Sequence, residues 1–145
     1  MDPAFSRREK QLERINYMNK TKILYWVFTV LFSGVMILSA VSQLVPNQES
    51  IQLIHERMGY PLYFIPFVGW AKLIGSIVIL IPGLKKIKEW AYAGLFFDLV
   101  AVVYSGIASA GGSVDPRMAW MLIWFVPGIL SYYFWNAVEY QQSKA

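Results

Sequence analysis

The chain has 145 residues, enough for one domain, and it is 57% hydrophobic and 17% aromatic with only 15% charged residues, a membrane profile rather than a soluble one. The absence of cysteine excludes disulfides, thiol redox relays, iron–sulfur clusters and thiolate metal sites; the single histidine, His55, cannot by itself build a bis-histidine haem or a zinc site, so no metal centre is expected. The net charge of +4 reads as topology and contact with anionic lipid rather than as a nucleic-acid surface, because of where the charges fall.

Four apolar runs stand out, at residues 23–45, 62–81, 90–110 and 118–138, each close to the roughly 20 residues that cross a bilayer as a helix. They predict an all-α membrane protein, a four-transmembrane-helix bundle with a short surface helix between spans 1 and 2. The organisation is a basic leader at 1–22, a transmembrane domain at 23–140 and a tail at 141–145. The first run has full spanning length and no small-residue cleavage pattern before Pro46 and Asn47, so it is not a signal peptide.

Arg7, Arg8, Lys10, Arg14, Lys20 and Lys22 precede the first span, Lys85, Lys86 and Lys88 lie between the second and third, and Lys144 follows the last. Only Arg57 and Arg117 lie on the opposite side, which places both termini and the Lys85 loop in the cytoplasm of a multi-pass inner-membrane protein.

In chain order, Met1-Asp2-Pro3-Ala4-Phe5 reads as cloning residue. Phe5, Leu12, Ile15, Tyr17 and Met18 form a weak helical stripe, but a solvated basic leader is the simpler expectation. Span 1 opens with Tyr25 and Trp26 as an interfacial aromatic belt and carries a small and polar stripe, Thr29, Ser33, Met36, Ala40 and Gln43. The outer segment puts Ile51, Ile54 and Met58 on one helical face, and Gly59-Tyr60-Pro61 turns the chain into span 2; His55 and Glu56 read as a solvated pair.

Span 2 has one ionisable side chain, Lys72, on a stripe with Ile65, Gly69 and Ser76; span 3 has one, Asp98, on a stripe with Ala91, Gly94, Ala101, Ser105 and Ala108. The connection Pro82-Gly83-Leu84 and the following basic residues are short, so the two spans return antiparallel. Lys72 lies 13 residues before Lys85 and Asp98 lies 13 residues after it, which puts both roughly 20 Å from the turn at 1.5 Å per residue. An unpaired charge there costs about 2.5–3.5 kcal/mol or more, so Lys72 and Asp98 are expected to face each other, with the two stripes of small residues allowing close backbone approach. Trp90 and Tyr92 mark the cytoplasmic edge. In span 4, Trp120 and Trp124 precede Pro127-Gly128, which predict a kink, and the tail from Gln141 frays.

The segments Gly59-Tyr60-Pro61-Leu62-Tyr63, Ala71-Lys72-Leu73-Ile74-Gly75, Leu80-Ile81-Pro82-Gly83-Leu84, Lys88-Glu89-Trp90-Ala91-Tyr92-Ala93-Gly94 and Phe97-Asp98-Leu99 resemble the DoxX-like family of small four-span bacterial membrane proteins, over residues 22–139. The resemblance implies a four-helix membrane bundle and a link to membrane redox complexes, including a thiosulfate–quinone oxidoreductase subunit; more distant relatives act as assembly factors. The family pattern of a histidine shortly after the serine of span 3 meets Ser105-Gly106 here, which argues against a histidine-dependent step.

Three functions follow as expectations: a binding or accessory subunit, with quinone or another hydrophobic small molecule as the ligand; a proton-transfer enzyme or transporter using Asp98 and Lys72 as its catalytic pair; or a membrane-protein assembly factor. An independent enzyme is the lesser expectation, and no cofactor other than quinone is suggested. Gln43, Trp70, Ser76, Ser105, Trp124 and Ser131 are the residues expected to contact a ligand. Partners are the bilayer and either another membrane protein or a further copy of the chain, with no nucleic acid. The plainer reading of Lys72 and Asp98 is an ion pair that fixes helix register.

Overall fold

A chain this apolar can satisfy its backbone in lipid only by closing hydrogen bonds within each segment, and helices do so. The computed structural model describes residues 3–45, 48–112 and 121–143, and these contain helices and no strand. Helix α1 spans Pro3–Leu44; α2 spans Gln48–Ser50 and runs on into a π-helical stretch, Ile51–Arg57; α3 spans Phe64–Leu80, α4 Lys85–Ser109 and α5 Phe125–Ser143. Both α1 and α4 are long and apolar enough to cross a bilayer, and α3 is a shorter apolar helix.

The basic leader and the first apolar run form one rod of 42 residues, about 63 Å at 1.5 Å per residue. That is twice the roughly 30 Å of bilayer hydrocarbon. The leader is therefore helical from Pro3 rather than a loose preface, and Phe5, Leu12, Ile15 and Tyr17 remain exposed along it.

α1 packs against both α3 and α5, while α4 packs against α3 and more lightly against α5. The buried side chains of α1 repeat at helical spacing: Tyr25, Thr29, Phe32, Ser33, Met36 and Ala40. They meet Ile79 of α3, Tyr92, Leu95 and Leu99 of α4, and Trp135 and Val138 of α5 in one core. Outward faces are equally apolar: Phe67, Trp70, Trp90, Phe97 and Tyr104 are all more than half exposed, a surface that lipid covers.

The connections follow from local residues. Gly83, at φ 92°, lets α3 turn sharply into α4. After α2, Gly59 at φ 74° reverses the chain, and His55 Nδ1 lies 2.7 Å from the Tyr60 carbonyl oxygen. The hydroxyl of Ser50 donates to the Ser42 carbonyl of α1 at 2.8 Å, clipping α2 to the end of α1. As the spacing predicts, Ile51, Ile54 and Met58 are half-buried.

The fourth apolar run differs from expectation. Its start, residues 118–120, lies outside the described residues, and the helix breaks at Ile123 and Trp124 rather than at Pro127. Pro127 is the third residue of α5, where a missing N–H leaves no bond unmade. Gly128 serves close approach: a Cβ there would lie 2.9 Å from Phe32 Cε2 and 3.1 Å from Phe96 Cε1. The helix runs on through Gln141 to Ser143.

Gly128→Val is expected to overpack this crossing and lower the thermal unfolding midpoint in detergent by the equivalent of about 1–3 kcal/mol. Gly34→Ala, with nothing within 4 Å of the added Cβ, is expected to leave the midpoint unchanged or raise it. Circular dichroism melts of both variants check this, and equal midpoints would remove the requirement for a bare backbone at residue 128.

Candidate functional site

The buried face of α3 is Ile65, Gly69, Lys72, Ser76 and Ile79. It is held against α1 by Gly69, where a Cβ would come within 3.0 Å of Leu44 Cγ and 3.2 Å of the Ala40 carbonyl oxygen. That close crossing carries Lys72, only 5% exposed, into the interior. Its Nζ lies 3.1 Å from Asp98 Oδ2 of α4 and donates to Ser39 Oγ of α1 at 3.2 Å. Three helices thus meet at one ammonium group. Ser39 was not singled out by the sequence pattern because it lies one position off the small and polar stripe of α1. Its signal is depth alone, as the one hydroxyl of α1 level with Lys72.

The two facing small-residue stripes do not pack as expected. α4 buries Lys88, Tyr92, Leu95, Leu99 and Gly106 instead, and leaves Gly94, Ala101 and Ala108 exposed. Larger side chains on the other face of α4 bury more apolar area in the core, so the helix is rotated and its small residues face a cleft. This cleft between α3 and α4 has a volume of about 550 Å³ and is walled by Val68, Ala71, Ile74 and Gly75 on one side and Ala91, Gly94, Phe97 and Ala101 on the other. Lys72 and Asp98 lie in its wall, with Gln43, Ile54, Met58 and Tyr60 toward α2, and Ile87 and Trp90 at the far end. Oε1 of Gln43 is buried without a hydrogen-bond partner among the described residues. Tyr60 is fixed at its end by a 2.7 Å hydrogen bond between its hydroxyl and Ser105 Oγ, and its ring stacks on Phe64 at 4.8 Å.

A second cavity of about 230 Å³ lies on the other side of the ion pair. Its walls are Val35, Met36 and Ser39 of α1, Leu99 and Val102 of α4, Met121 and Trp124, together with Lys72 and Asp98 themselves.

A separate polar cluster occupies the turn end of the helices. Lys88 is 2% exposed, although its place in a basic connection predicts a solvated side chain. Its Nζ donates to the Tyr25 hydroxyl at 2.7 Å and sits 5.4 Å from the Tyr25 ring centroid. Tyr25 and Tyr92 are therefore core residues and not belt aromatics, while Trp26 and Trp90 face outward. Ser131 Oγ bonds both Thr29 Oγ1 at 2.7 Å and the Tyr92 hydroxyl at 2.6 Å. Lys85 pairs with Glu139, tying the start of α4 to α5.

Of the residues expected to contact a ligand, Gln43 lines the cleft and Trp124 the second cavity. The others line neither. Trp70 is 58% exposed on the outer face, Ser105 is engaged by Tyr60, Ser131 is closed inside its cluster, and Ser76 is fully buried with Oγ unpartnered among the described residues. The cleft-lining residues that the sequence pattern did not mark include Val68, Ile74 and Phe97 of the two facing helices and Tyr60 of the outer segment.

Residues 27–129, more than half of the chain, match the DoxX-like family, and this stretch contains the ion pair and every residue lining the two cavities. No curated protein and no solved structure matches the chain.

Lys72→Met alone strands the Asp98 carboxylate in an apolar wall and is expected to cost about 3–5 kcal/mol of stability. The double substitution Lys72→Met, Asp98→Leu is expected to recover most of that loss. A double-mutant cycle read from unfolding midpoints measures the coupling, and additive losses would mean that the two charges do not support each other.

Proposed function

The chain belongs to the DoxX-like family, and from that membership and a charged pair set in an apolar cleft we propose that this small membrane protein holds a lipophilic molecule between α3 and α4. In this reading α1, α3, α4 and α5 are four membrane spans in a bundle, with both termini and the α3–α4 turn in the cytoplasm, as the Lys and Arg distribution favours. The cleft then opens sideways to the acyl chains.

What supports a ligand is the combination of size and lining. A volume of about 550 Å³ falls inside the roughly 300–1,000 Å³ of small-molecule sites, which are mostly apolar with a few placed polar groups. Here those groups are the Lys72 ammonium, the Asp98 carboxylate and the Gln43 amide. They suit a long apolar body with one polar head, such as a quinone or another isoprenoid. Such a protein acts as a binding or accessory subunit, with a quinone-linked redox complex as its setting. The carrying observation is the ion pair in the cleft wall: packing alone would have closed the small-residue face of α4 against α3.

Native mass spectrometry of the detergent-extracted protein tests this. The wild type is expected to carry a mass in the isoprenoid or lipid range. Gly94→Phe, which projects a ring into open space, is expected to remove that mass without lowering the melting point, and Asp98→Asn to reduce its occupancy several-fold. A wild type that is bare under gentle extraction, or a Gly94→Phe variant as fully loaded as the wild type, would sink the reading.

A further inference from the structure

Lys72 and Asp98 line both cavities, so the ion pair is the partition between a cleft reached from the lipid and a chamber bounded by α1, α4 and the broken segment at residues 121–124. We propose that the second cavity is a hydrated chamber through which the Lys72–Asp98 pair exchanges protons with solvent, on the face opposite the lipophilic ligand. This rests on the reading of the cleft as the ligand site.

Four observations carry it. The pair is short of partners: an ammonium has three donors and a carboxylate about four acceptor sites, yet Lys72 reaches only Asp98 and Ser39, and Lys72 is the one partner of Asp98 among the described residues. Buried charges left so sparsely bonded call for water or a ligand. The chamber wall sets the Ser39 hydroxyl and Trp124 beside the two charges, among otherwise apolar side chains. Its volume of about 230 Å³ admits several waters at roughly 30 Å³ each. Finally, the regular helix is interrupted at Ile123 and Trp124, where turn-type bonds are found among the described residues, Trp124 N–H to the Met121 carbonyl at 3.2 Å and Val126 N–H to the Ile123 carbonyl at 3.3 Å. Irregular backbone of this kind is tolerated at membrane depth where it is buried in protein or lines a water-filled cavity.

The arrangement fits a ligand with a hydroxyl head. A hydroxyl beside Asp98 loses its proton as its O–H bond breaks and a carboxyl O–H bond forms, and the oxyanion stays beside the Lys72 ammonium. Asp98 then passes the proton to water in the chamber and is restored as a carboxylate. The ligand exchanges its proton without water entering the apolar cleft.

The chain has no cysteine, so single cysteines report accessibility in the full-length protein reconstituted in liposomes. Val35→Cys and Met121→Cys, on different segments of the chamber wall, are expected to react with the impermeant reagent 2-sulfonatoethyl methanethiosulfonate at least ten-fold faster than Leu38→Cys. Leu38 lies one turn from Val35 and is 73% exposed on the outer face, so depth alone cannot produce that difference. Two results would overturn the proposal: thiols at 35 and 121 that stay unmodified until the protein is denatured, or a thiol at 38 that reacts as fast as they do. If one chamber variant fails to fold, the other decides. The labelling needs no ligand, so an empty cleft in mass spectrometry and a dry chamber in labelling are separate failures.

Discussion

An ammonium and a carboxylate 3.1 Å apart among apolar helices attract each other strongly and are costly to remove from water, and the two effects nearly cancel. The pair therefore adds little net stability; what it adds is constraint. Lys72 without Asp98, or Asp98 without Lys72, is far worse than both together, so any slide of α3 against α4 by a turn is penalised. Ser39 extends the constraint to α1 through its hydrogen bond to Lys72. Three helices are fixed in register by one group whose own burial contributes almost nothing.

That constraint explains why a cleft can persist between α3 and α4. Two helices bearing small residues would ordinarily close on each other. Here α1 and α5 take the large side chains of α4, Tyr92, Leu95 and Leu99, into the core, while the ion pair stops α4 from rolling further. The small residues are left facing open space. The ends differ: at one, Tyr60 is fixed by Ser105 and by stacking on Phe64; at the other stand Ile87 and Trp90, while the separate Lys88–Tyr25 contact and the Lys85–Glu139 pair hold the turn end of the helices.

The sequence made the hairpin legible because charge and distance are both countable. Equal offsets of Lys72 and Asp98 from Lys85 fix their depth, and the 3.6-residue period of Ile65, Gly69, Lys72 and Ser76 names the buried face of α3 correctly. The rotation of α4 was not legible, since Gly and Ala serve equally to let helices touch or to line a gap, and the deciding competition with Tyr92 and Leu95 is set by other helices. Tyr25, Tyr92 and Lys88 misled for a related reason. Aromatic and basic residues at the ends of apolar runs belong either to an interface or to a polar cluster beneath it, and their composition is the same in both. Trp70 belongs to the opposite error: a large aromatic two residues before Lys72 points outward because it follows Gly69 by one position, about 100° round the helix from the buried stripe.

The break at Ile123 and Trp124 shows how backbone and side-chain requirements combine at the site. A continuous helix there would carry Trp124 on a regular face. Ending the regular ladder just before Phe125 instead places Pro127 in the first turn of α5, where its missing donor costs no bond. It also brings Gly128 against Phe32 and Phe96 so that α5 can seat deeply on α1. The deep seat carries Trp124 over the ion pair from the side opposite the cleft. The same few residues that allow close packing at the start of α5 thus border a second pocket, which is why the partner-poor charges of α3 and α4 have space on two sides rather than one.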